Sequence, residues 1–176
     1  MKHQSISACV TSPEATRRPL ARRIKPLLVF LLIFTVHSLF AQSKYIKKYR
    51  PLADSLSCVY GVPTSIILGV AILESGSGTS RNCKLLNNHF GIVGKNDLVK
   101  TKSIKTRYKQ YKDSRASYLD FCKLMAKKRF YKKLKHNPDY KLWAVEISKS
   151  GYSEVPDYWK TKVMETIKKN KLSQCP

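Results

Sequence analysis

Apolar residues recur at helical spacing over most of the chain. Over residues 43–60 they fall three and four positions apart, which predicts an amphipathic helix. Gly61 suits the position just past the end of that helix, and Pro63 suits the start of the next one. The second helix runs to about Glu74 and is apolar on every side over residues 66–73. A helix that is apolar all round is a buried one, so we expect it at the centre of the domain.

The rest of the chain is mostly helical in pattern, with one interruption. Residues 89–93 and 98–111 have weak strand character on either side of a polar turn, which predicts a small patch of two or three strands. The helical period marks further helices at 81–86, 114–126, 130–134, after Asn137-Pro138, and at 156–171. The predicted fold class is therefore α+β, a mostly helical domain with a small β insertion.

The first 41 residues have a different composition from the rest. Five Arg and Lys residues precede an apolar run at residues 27–36, which extends with one His and one Ser to Ala41. This order is typical of a secretory signal peptide. This run, which includes Thr35, is ten residues long, whereas a membrane span needs roughly 20. We predict a signal peptide at residues 1–41 and one exported domain at residues 42–176, with an uncleaved N-terminal anchor as the alternative.

The chain is strongly basic, with a formal net charge of +23. Once residues 1–41 are set aside, 28 basic and ten acidic residues remain, so the charge is still +18. Such a charge favours an anionic polymer, which could be nucleic acid, anionic lipid or a wall polymer. No nucleic-acid recognition motif is present, so we do not expect nucleic acid as a partner.

Four cysteines remain after residue 41, which in an exported chain suggests two disulfides. Three pairings are possible. We favour Cys58–Cys83 and Cys122–Cys175, since the second bond would hold the C-terminus. The absence of CxxC or Cys/His spacing argues against a zinc site, and we expect no metal and no cofactor.

Glu74 is the residue that most suggests chemistry. It ends the apolar run of the central helix and is followed by small residues from Ser75 to Thr79. Burying a carboxylate without partners is unfavourable, so such a group either pairs with a cation or retains a proton. A carboxyl with a raised pKa that opens onto a groove of small residues suits a general acid for glycosidic bond cleavage. A helix-end carboxylate paired with Lys or Arg is the structural alternative.

Three segments carry a resemblance to a known family. Residues 71–80, Ala-Ile-Leu-Glu-Ser-Gly-Ser-Gly-Thr-Ser, resemble the catalytic-helix signature of the endo-β-N-acetylglucosaminidases of glycoside hydrolase family 73. Residues 87–92, Asn-Asn-His-Phe-Gly-Ile, are similar to its second signature, and residues 151–158 to its Gly-Tyr-Ala-Thr-x-Pro-x-Tyr motif. The family includes flagellar and autolysin-type peptidoglycan hydrolases, and the resemblance extends over nearly the whole chain after residue 42.

The resemblance implies a lysozyme-like fold and hydrolysis of the N-acetylglucosaminyl-β-1,4-N-acetylmuramyl bond of peptidoglycan. It implies that Glu74 is the acid, and that Tyr152 lies in the cleft and positions the sugar or the reacting water. The remaining matched residues would contact substrate or shape the cleft, namely Ser75, Asn88, Phe90 and Tyr158. A structural turn is an equally good interpretation of the Asn pair at 87–88, because Asn supports tight turns.

The match is incomplete where the family often places a second carboxylate. Residues 94–111 contain one acid, Asp97, which lies early in the expected turn. Asp97 could serve as the base, or the acetamido group of the substrate could act as nucleophile, which we slightly favour, or activity could be weakened or lost. Glu154 replaces the small polar residue of the third motif and reads more simply as solvated surface.

Two other functions stay open at this point. A lytic transglycosylase shares the fold and the single Glu, but would leave an anhydromuramic end instead of a reducing sugar. A non-catalytic binder of anionic wall polymers would use the basic aromatic run at residues 107–112, since aromatic rings stack and cations pair. In either case we expect a monomer that acts in the periplasm or outside the cell, on peptidoglycan strands, with no stable membrane span.

Overall fold

A computed structural model describes the backbone of residues 26–173 and the side chains of residues 42–173. Eight helices occupy this part of the chain. Their bounds are α1 Pro26–Tyr60, α2 Thr64–Ser75, α3 Arg81–Leu86, α4 Leu98–Lys102, α5 Ser114–Ala126, α6 Tyr131–Leu134, α7 Tyr140–Lys149 and α8 Pro156–Lys169. The prediction of a mostly helical domain is confirmed, and most helix ends fall within two residues of the predicted ones.

The second helix, α2, is the centre of the domain, as its uniformly apolar sequence predicts. Five side chains from Ile66 to Ala71 have no exposed surface, and Gly69 among them is also buried. Helices α1, α5, α7 and α8 all pack against it. The helix ends at Gly76, which has a φ of +56° and donates its backbone N–H to the carbonyl of Ile72. Glycine adopts this left-handed conformation without strain, so the chain can turn away directly after Ser75.

Helices α2 and α8 approach closely at Gly69. A Cβ at this position would lie 2.6 Å from Cγ1 of Ile167. Trp159, Val163 and Ile167 share one face of α8 at a spacing of four residues, and all three are buried. The missing side chain of Gly69 thus lets the α8 face lie against α2, and Trp159 is carried toward the end of α2 where Glu74 lies.

The expected β insertion is not present as strands in the described residues. A single antiparallel bridge joins Val93 and Tyr108, and part of the second predicted strand is the helix α4. The side-chain amide of Asn96 donates to the carbonyls of Thr106, at 3.0 Å, and Tyr108, at 2.9 Å. The Asn96 side chain therefore occupies two backbone carbonyls that a longer strand ladder would use as hydrogen-bond acceptors. The prediction of two or three strands is wrong for this physical reason.

The disulfide prediction is also corrected. Cys58 and Cys83 are free thiols, Cys58 exposed and Cys83 buried. Cys83 lies beside the ring of His89, with its sulfur 3.5 Å from Nδ1. Cys122 is likewise a free, buried thiol, and Cys175 lies outside the described residues, so the second pairing stays a prediction.

The first helix begins at Pro26, upstream of the predicted cleavage point, and continues to Tyr60 without a break. The whole of the predicted signal peptide lies outside the residues whose side chains are described, so the division at residue 41 stays a prediction. Among the described residues, no helix combines the length and the apolar character that a membrane crossing requires.

Candidate active site

A cleft opens beside the C-terminal end of α2. Its volume is about 620 Å³. One wall belongs to the loops around the Val93–Tyr108 bridge, and the other belongs to the loop between α7 and α8. The lining residues are Glu74, Gly91, Val93, Arg107, Tyr108, Gly151, Tyr152, Ser153, Glu154 and Val155. The first and third motifs therefore meet in space although they are more than 70 positions apart in the chain.

Glu74 lies half-buried at the base of this cleft. Its Oε1 accepts a hydrogen bond of 2.7 Å from the indole N–H of Trp159. Burial raises the pKa of the Glu74 carboxyl, and the Trp159 hydrogen bond opposes this effect in part. No ion pair between Glu74 and a Lys or Arg occurs among the described side chains. The structural alternative, in which Glu74 pairs with a Lys or Arg, is therefore wrong for the described side chains.

The second carboxyl oxygen of Glu74 faces Gly91. A Cβ at Gly91 would lie 3.0 Å from Oε2, and the glycine has a φ of +65°. Both facts favour glycine here, because any larger residue would be strained and would crowd the carboxyl. Gly91 thus keeps open the space in front of the one Glu74 oxygen that Trp159 does not occupy.

Tyr152 lies in the same cleft, between the core and the carboxyl. Its hydroxyl donates a hydrogen bond of 2.6 Å to the carbonyl oxygen of Phe90. Its ring packs against that of Trp159, with the ring centroids 5.2 Å apart. Burial, followed by the nearby charge of Glu74, raises the pKa of Tyr152 well above its ordinary value. The hydroxyl therefore stays protonated and fastens the Phe90–Gly91 peptide next to Glu74.

Asn88 and Phe90 support the cleft from behind. The amide of Asn88 donates to the carbonyls of Ile92 and Lys109, at 2.8 Å each, and its oxygen accepts from the N–H groups of Phe90 and Ile92. Phe90 is buried and stacks on Phe121 with ring centroids 4.3 Å apart. These contacts hold the loop that carries Gly91, and a direct contact of either side chain with substrate stays a prediction.

Ser75 points away from the cleft. Its hydroxyl donates to the carbonyl of Ala71 at 2.6 Å and accepts from the N–H of Gly78 at 2.8 Å. It also lies 3.4 Å from the hydroxyl of Tyr45. Ser75 therefore closes the loop after α2 and borders a buried polar network, whereas Glu74, one position earlier, borders the cleft.

Asp97 and Tyr158 are not among the residues that line the cleft. Asp97 is exposed at the start of α4, where its backbone N–H bonds the side chain of Gln110 at 3.0 Å. Tyr158 is 63% exposed on α8, and Lys162 lies over its ring. The structure thus places Glu74 and Tyr152 together in the cleft, whereas Asp97 and Tyr158 lie outside it.

An ion pair spans the mouth of the cleft. Nη2 of Arg107 lies 2.9 Å from Oε1 of Glu154, and both side chains are largely exposed. Arg107 belongs to the basic aromatic run at residues 107–112, and Tyr108 from the same run also lines the cleft. Further along this run, Lys109 and Tyr111 both bind the carboxylate of Asp120, at 2.7 Å each.

Sequence reasoning missed Trp159, Gly91 and Arg107. Trp159 carried a usable signal, because a buried indole N–H needs an acceptor and Glu74 is an acceptor at the end of a buried helix. Gly91 was quoted only as part of a motif, and its role depends on a φ that the sequence does not display. Within the described residues, no group of three or more His, Cys, Asp or Glu side chains could hold a metal ion.

Comparisons with known proteins identify the family of the chain. The family model Glucosaminidase, described as mannosyl-glycoprotein endo-beta-N-acetylglucosaminidase, matches residues 50–172. The chain is similar to the exo-glucosaminidase LytG of Bacillus subtilis (strain 168), with 29% identity over 76% of this chain and 57% of LytG. The chain therefore spans little more than half the length of that relative.

Two solved structures resemble the fold. The catalytic domain of the autolysin Auto from Listeria monocytogenes gives a TM-score of 0.63 at 22% identity, covering 76% of this chain and 86% of that one. A C-terminally truncated glycoside hydrolase domain of FlgJ from Salmonella typhimurium gives a TM-score of 0.60 at 20% identity, covering 74% and 97%. At these identities the likeness establishes the fold.

Proposed function

Because the chain belongs to the glucosaminidase family of glycoside hydrolases, we propose that it cleaves the glycan strands of peptidoglycan. The bond is the N-acetylglucosaminyl-β-1,4-N-acetylmuramyl linkage, and Glu74 is the general acid. Residues 1–41 direct export, so that the domain at residues 42–176 acts as a monomer in the periplasm or outside the cell.

The observation that carries this proposal is the asymmetry of the Glu74 carboxyl. Oε1 accepts the Trp159 N–H, and Oε2 faces the space beside Gly91. A protonated carboxyl donates its hydrogen most readily from the oxygen that is not already an acceptor, so Oε2 delivers the proton. The pKa is raised by burial, which keeps the acid protonated closer to neutral pH, as cleavage of a glycosidic bond requires.

Tyr152 acts in this proposal as a positioning residue. Its hydroxyl is committed to the carbonyl of Phe90, at 2.6 Å, so it fixes the peptide that holds Gly91 in front of Glu74. A shift of about 1 Å in such a support can lower the rate about 10²-fold, because the acid must lie within reach of the leaving oxygen. The ring of Tyr152 also forms part of the cleft surface that a sugar would contact.

The charge of the chain suits the same substrate. Bacterial walls carry anionic groups, and a domain with a net charge of +18 over residues 42–176 is attracted to them. Exposed charges are screened by salt, so wall binding should weaken as ionic strength rises. Binding that is independent of salt would argue against electrostatic capture.

The decisive experiment is digestion of purified peptidoglycan by the parent protein and by Glu74→Gln. We expect the variant to lose about 10² to 10⁴-fold in rate, the usual contribution of a general acid, with an unchanged melting temperature. Glu165→Gln is the matched control, since Glu165 is an exposed carboxylate paired with Lys162 on α8 at 2.7 Å. A Glu74→Gln protein that digests walls as fast as the parent would overturn the assignment.

The products separate the remaining alternatives. Hydrolysis by a glucosaminidase leaves a reducing N-acetylglucosamine end, whereas a lytic transglycosylase leaves an anhydromuramic end. LytG is named an exo-glucosaminidase, so the size of the products also matters: free N-acetylglucosamine indicates exo action, and longer fragments indicate endo action. Mass spectrometry of the soluble fragments distinguishes all three.

A further inference from the structure

Two carboxylates line the cleft among the described residues, Glu74 and Glu154. They come from different elements, Glu74 from the end of α2 and Glu154 from the loop between α7 and α8. The segment that could have supplied another acid, residues 94–111, offers only Asp97, which is exposed at the start of α4. Glu154 is therefore the acidic side chain that the fold places in the same cleft as the proton donor.

The loop that carries Glu154 is held at several points. Two residues before it, Tyr152 is fastened to the carbonyl of Phe90 at 2.6 Å. One residue after it, the backbone N–H of Val155 bonds the hydroxyl of Ser153 at 3.2 Å. Pro156 then starts α8, where its fixed φ favours the first helical turn. Glu154 thus projects from a braced loop into a space that solvent can enter.

Arg107 holds the Glu154 carboxylate from the facing wall. Its Nη2 contacts Oε1 at 2.9 Å, while its guanidinium lies 5.8 Å from the ring centroid of Tyr108. The backbone carbonyl of Arg107 accepts the N–H of Gly94 at 2.9 Å, which ties this residue to the bridge. A charge-assisted bond of this kind orients a carboxylate. Among the described groups, Oε2 of Glu154 has no hydrogen-bond partner, so it is available to a water molecule.

We propose that Glu154 is the second catalytic carboxylate, which activates the water that attacks the sugar, and that Arg107 positions it. This inference rests on the proposed function of Glu74. Oε2 of Glu154 takes a proton from water while the water oxygen bonds to the anomeric carbon. The bond from that carbon to the leaving oxygen breaks, and the leaving oxygen takes the proton of Glu74. Both carboxyl groups then exchange protons with solvent.

The contrast between the two environments suits these roles. Glu74 is half-buried, and burial raises the pKa of its carboxyl, whereas Glu154 is 80% exposed and lies 2.9 Å from a guanidinium nitrogen. An acid and a base in one cleft need such opposite environments to coexist at one pH. A single displacement by water inverts the configuration at the anomeric carbon, whereas assistance by the acetamido group retains it.

The test compares Glu154→Gln and Glu154→Ala with the parent, and uses Glu165→Gln as the control for loss of an exposed, ion-paired carboxylate. We expect kcat on peptidoglycan fragments to fall at least about 10²-fold in both Glu154 variants, with little change in KM. Sodium azide should restore turnover of Glu154→Ala and yield a glycosyl azide, because azide attacks without needing a base. Parent protein should give the inverted anomer first, as followed by NMR.

Several results would overturn the inference. Parental activity in Glu154→Gln, lost activity that azide does not rescue, or a retained anomeric configuration each contradict a base at Glu154. So does activity that disappears in Asp97→Asn and persists in Glu154→Gln. If the parent protein itself releases no sugar, the proposed function falls with the inference. If the parent is active and Glu74→Gln is not, while Glu154→Gln is, only the inference falls.

Discussion

Glu74 and Ser75 are consecutive residues, yet their side chains belong to two very different polar regions. On the Glu74 side, the cleft contains a carboxyl with one committed oxygen and one open oxygen. On the Ser75 side lies a polar network, in which the hydroxyl of Tyr45 contacts Nδ1 of His89 at 2.7 Å and accepts from the hydroxyl of Tyr118 at 2.9 Å. Nε2 of His89 lies 2.9 Å from the hydroxyl of Ser114.

The two regions differ in what burial achieves. In the network every polar atom is satisfied by another protein atom: among the described residues, no buried side-chain nitrogen or oxygen lacks a partner. Burial raises the pKa of the Cys83 thiol to about 11 and lowers that of His89 to about 4, so both stay neutral. In the cleft, burial raises the pKa of Glu74 as well, but one oxygen keeps access to the space where substrate would bind. The two regions therefore differ in pairing: the buried polar atoms of the network all have protein partners, whereas one oxygen of Glu74 faces open space beside Gly91.

The largest expected effect concerns Gly91, which faces Oε2 of Glu74 in the cleft. Gly91→Ala places a Cβ about 3.0 Å from Oε2 of Glu74, so the carboxyl must shift and activity should fall about 10²-fold. Gly151→Ala is the matched control, because its φ of +74° imposes a comparable backbone strain while its Cβ would meet nothing within 4 Å. Rate measurements on both should show a far greater loss for Gly91→Ala. Equal losses would mean that backbone strain, and not the space beside Glu74, is what matters.

The next effect concerns the polar network around Tyr45. Tyr118→Phe removes the donor to the Tyr45 hydroxyl in a fully buried site. The free energy of unfolding should fall by about 1 to 3 kcal/mol, the penalty for a buried group that loses its partner. Activity per folded molecule should stay within about twofold of the parent. Urea unfolding and a rate assay on the same sample check this, and a variant that lost activity without losing stability would break the division between the two regions.

The smallest expected effect is a shift in the pH dependence of activity, without loss of the activity itself. Trp159→Phe removes the hydrogen bond that stabilises the ionised form of Glu74, so the pKa of the acid should rise further. The basic limb of the kcat/KM profile reports loss of the protonated acid, and it should move to higher pH. Trp143→Phe is the control, since that buried indole donates to the carbonyl of Asn137 instead. A limb that stays in place, or moves to lower pH, contradicts Glu74 as the titrating acid.

The helices and the position of Glu74 were predictable because their signals are local. The apolar run of α2 requires burial whatever it packs against, and a carboxyl at its end must be either paired or reactive. The β insertion was not predictable, because the outcome depends on Asn96, whose side chain takes the carbonyls of Thr106 and Tyr108. Strand propensity does not account for a side chain that competes with a neighbouring strand for backbone carbonyls.

The partners of Glu74 were harder to predict because they are distant in sequence. Trp159 lies 85 positions away, and only the packing of α8 on α2 at Gly69 brings it to the carboxyl. The second motif was interpreted either as a part of the cleft that contacts substrate or as a structural turn, and the four hydrogen bonds of Asn88 all go to backbone groups. A motif can recur because it shapes a loop, and the sequence alone does not separate that reason from direct contact.

The neutral imidazole of His89 sets a limit on the acidity that the domain tolerates. An unfolded chain restores an ordinary histidine pKa near 6.5, while the folded chain holds it at about 4. Between these values the unfolded chain binds a proton that the folded chain does not, so this contribution to stability is complete above pH 6.5 and is lost as the pH falls through 4. For one proton the slope approaches about 1.4 kcal/mol per pH unit. An acidic medium would therefore destabilise the fold through an imidazole that is not among the residues lining the cleft.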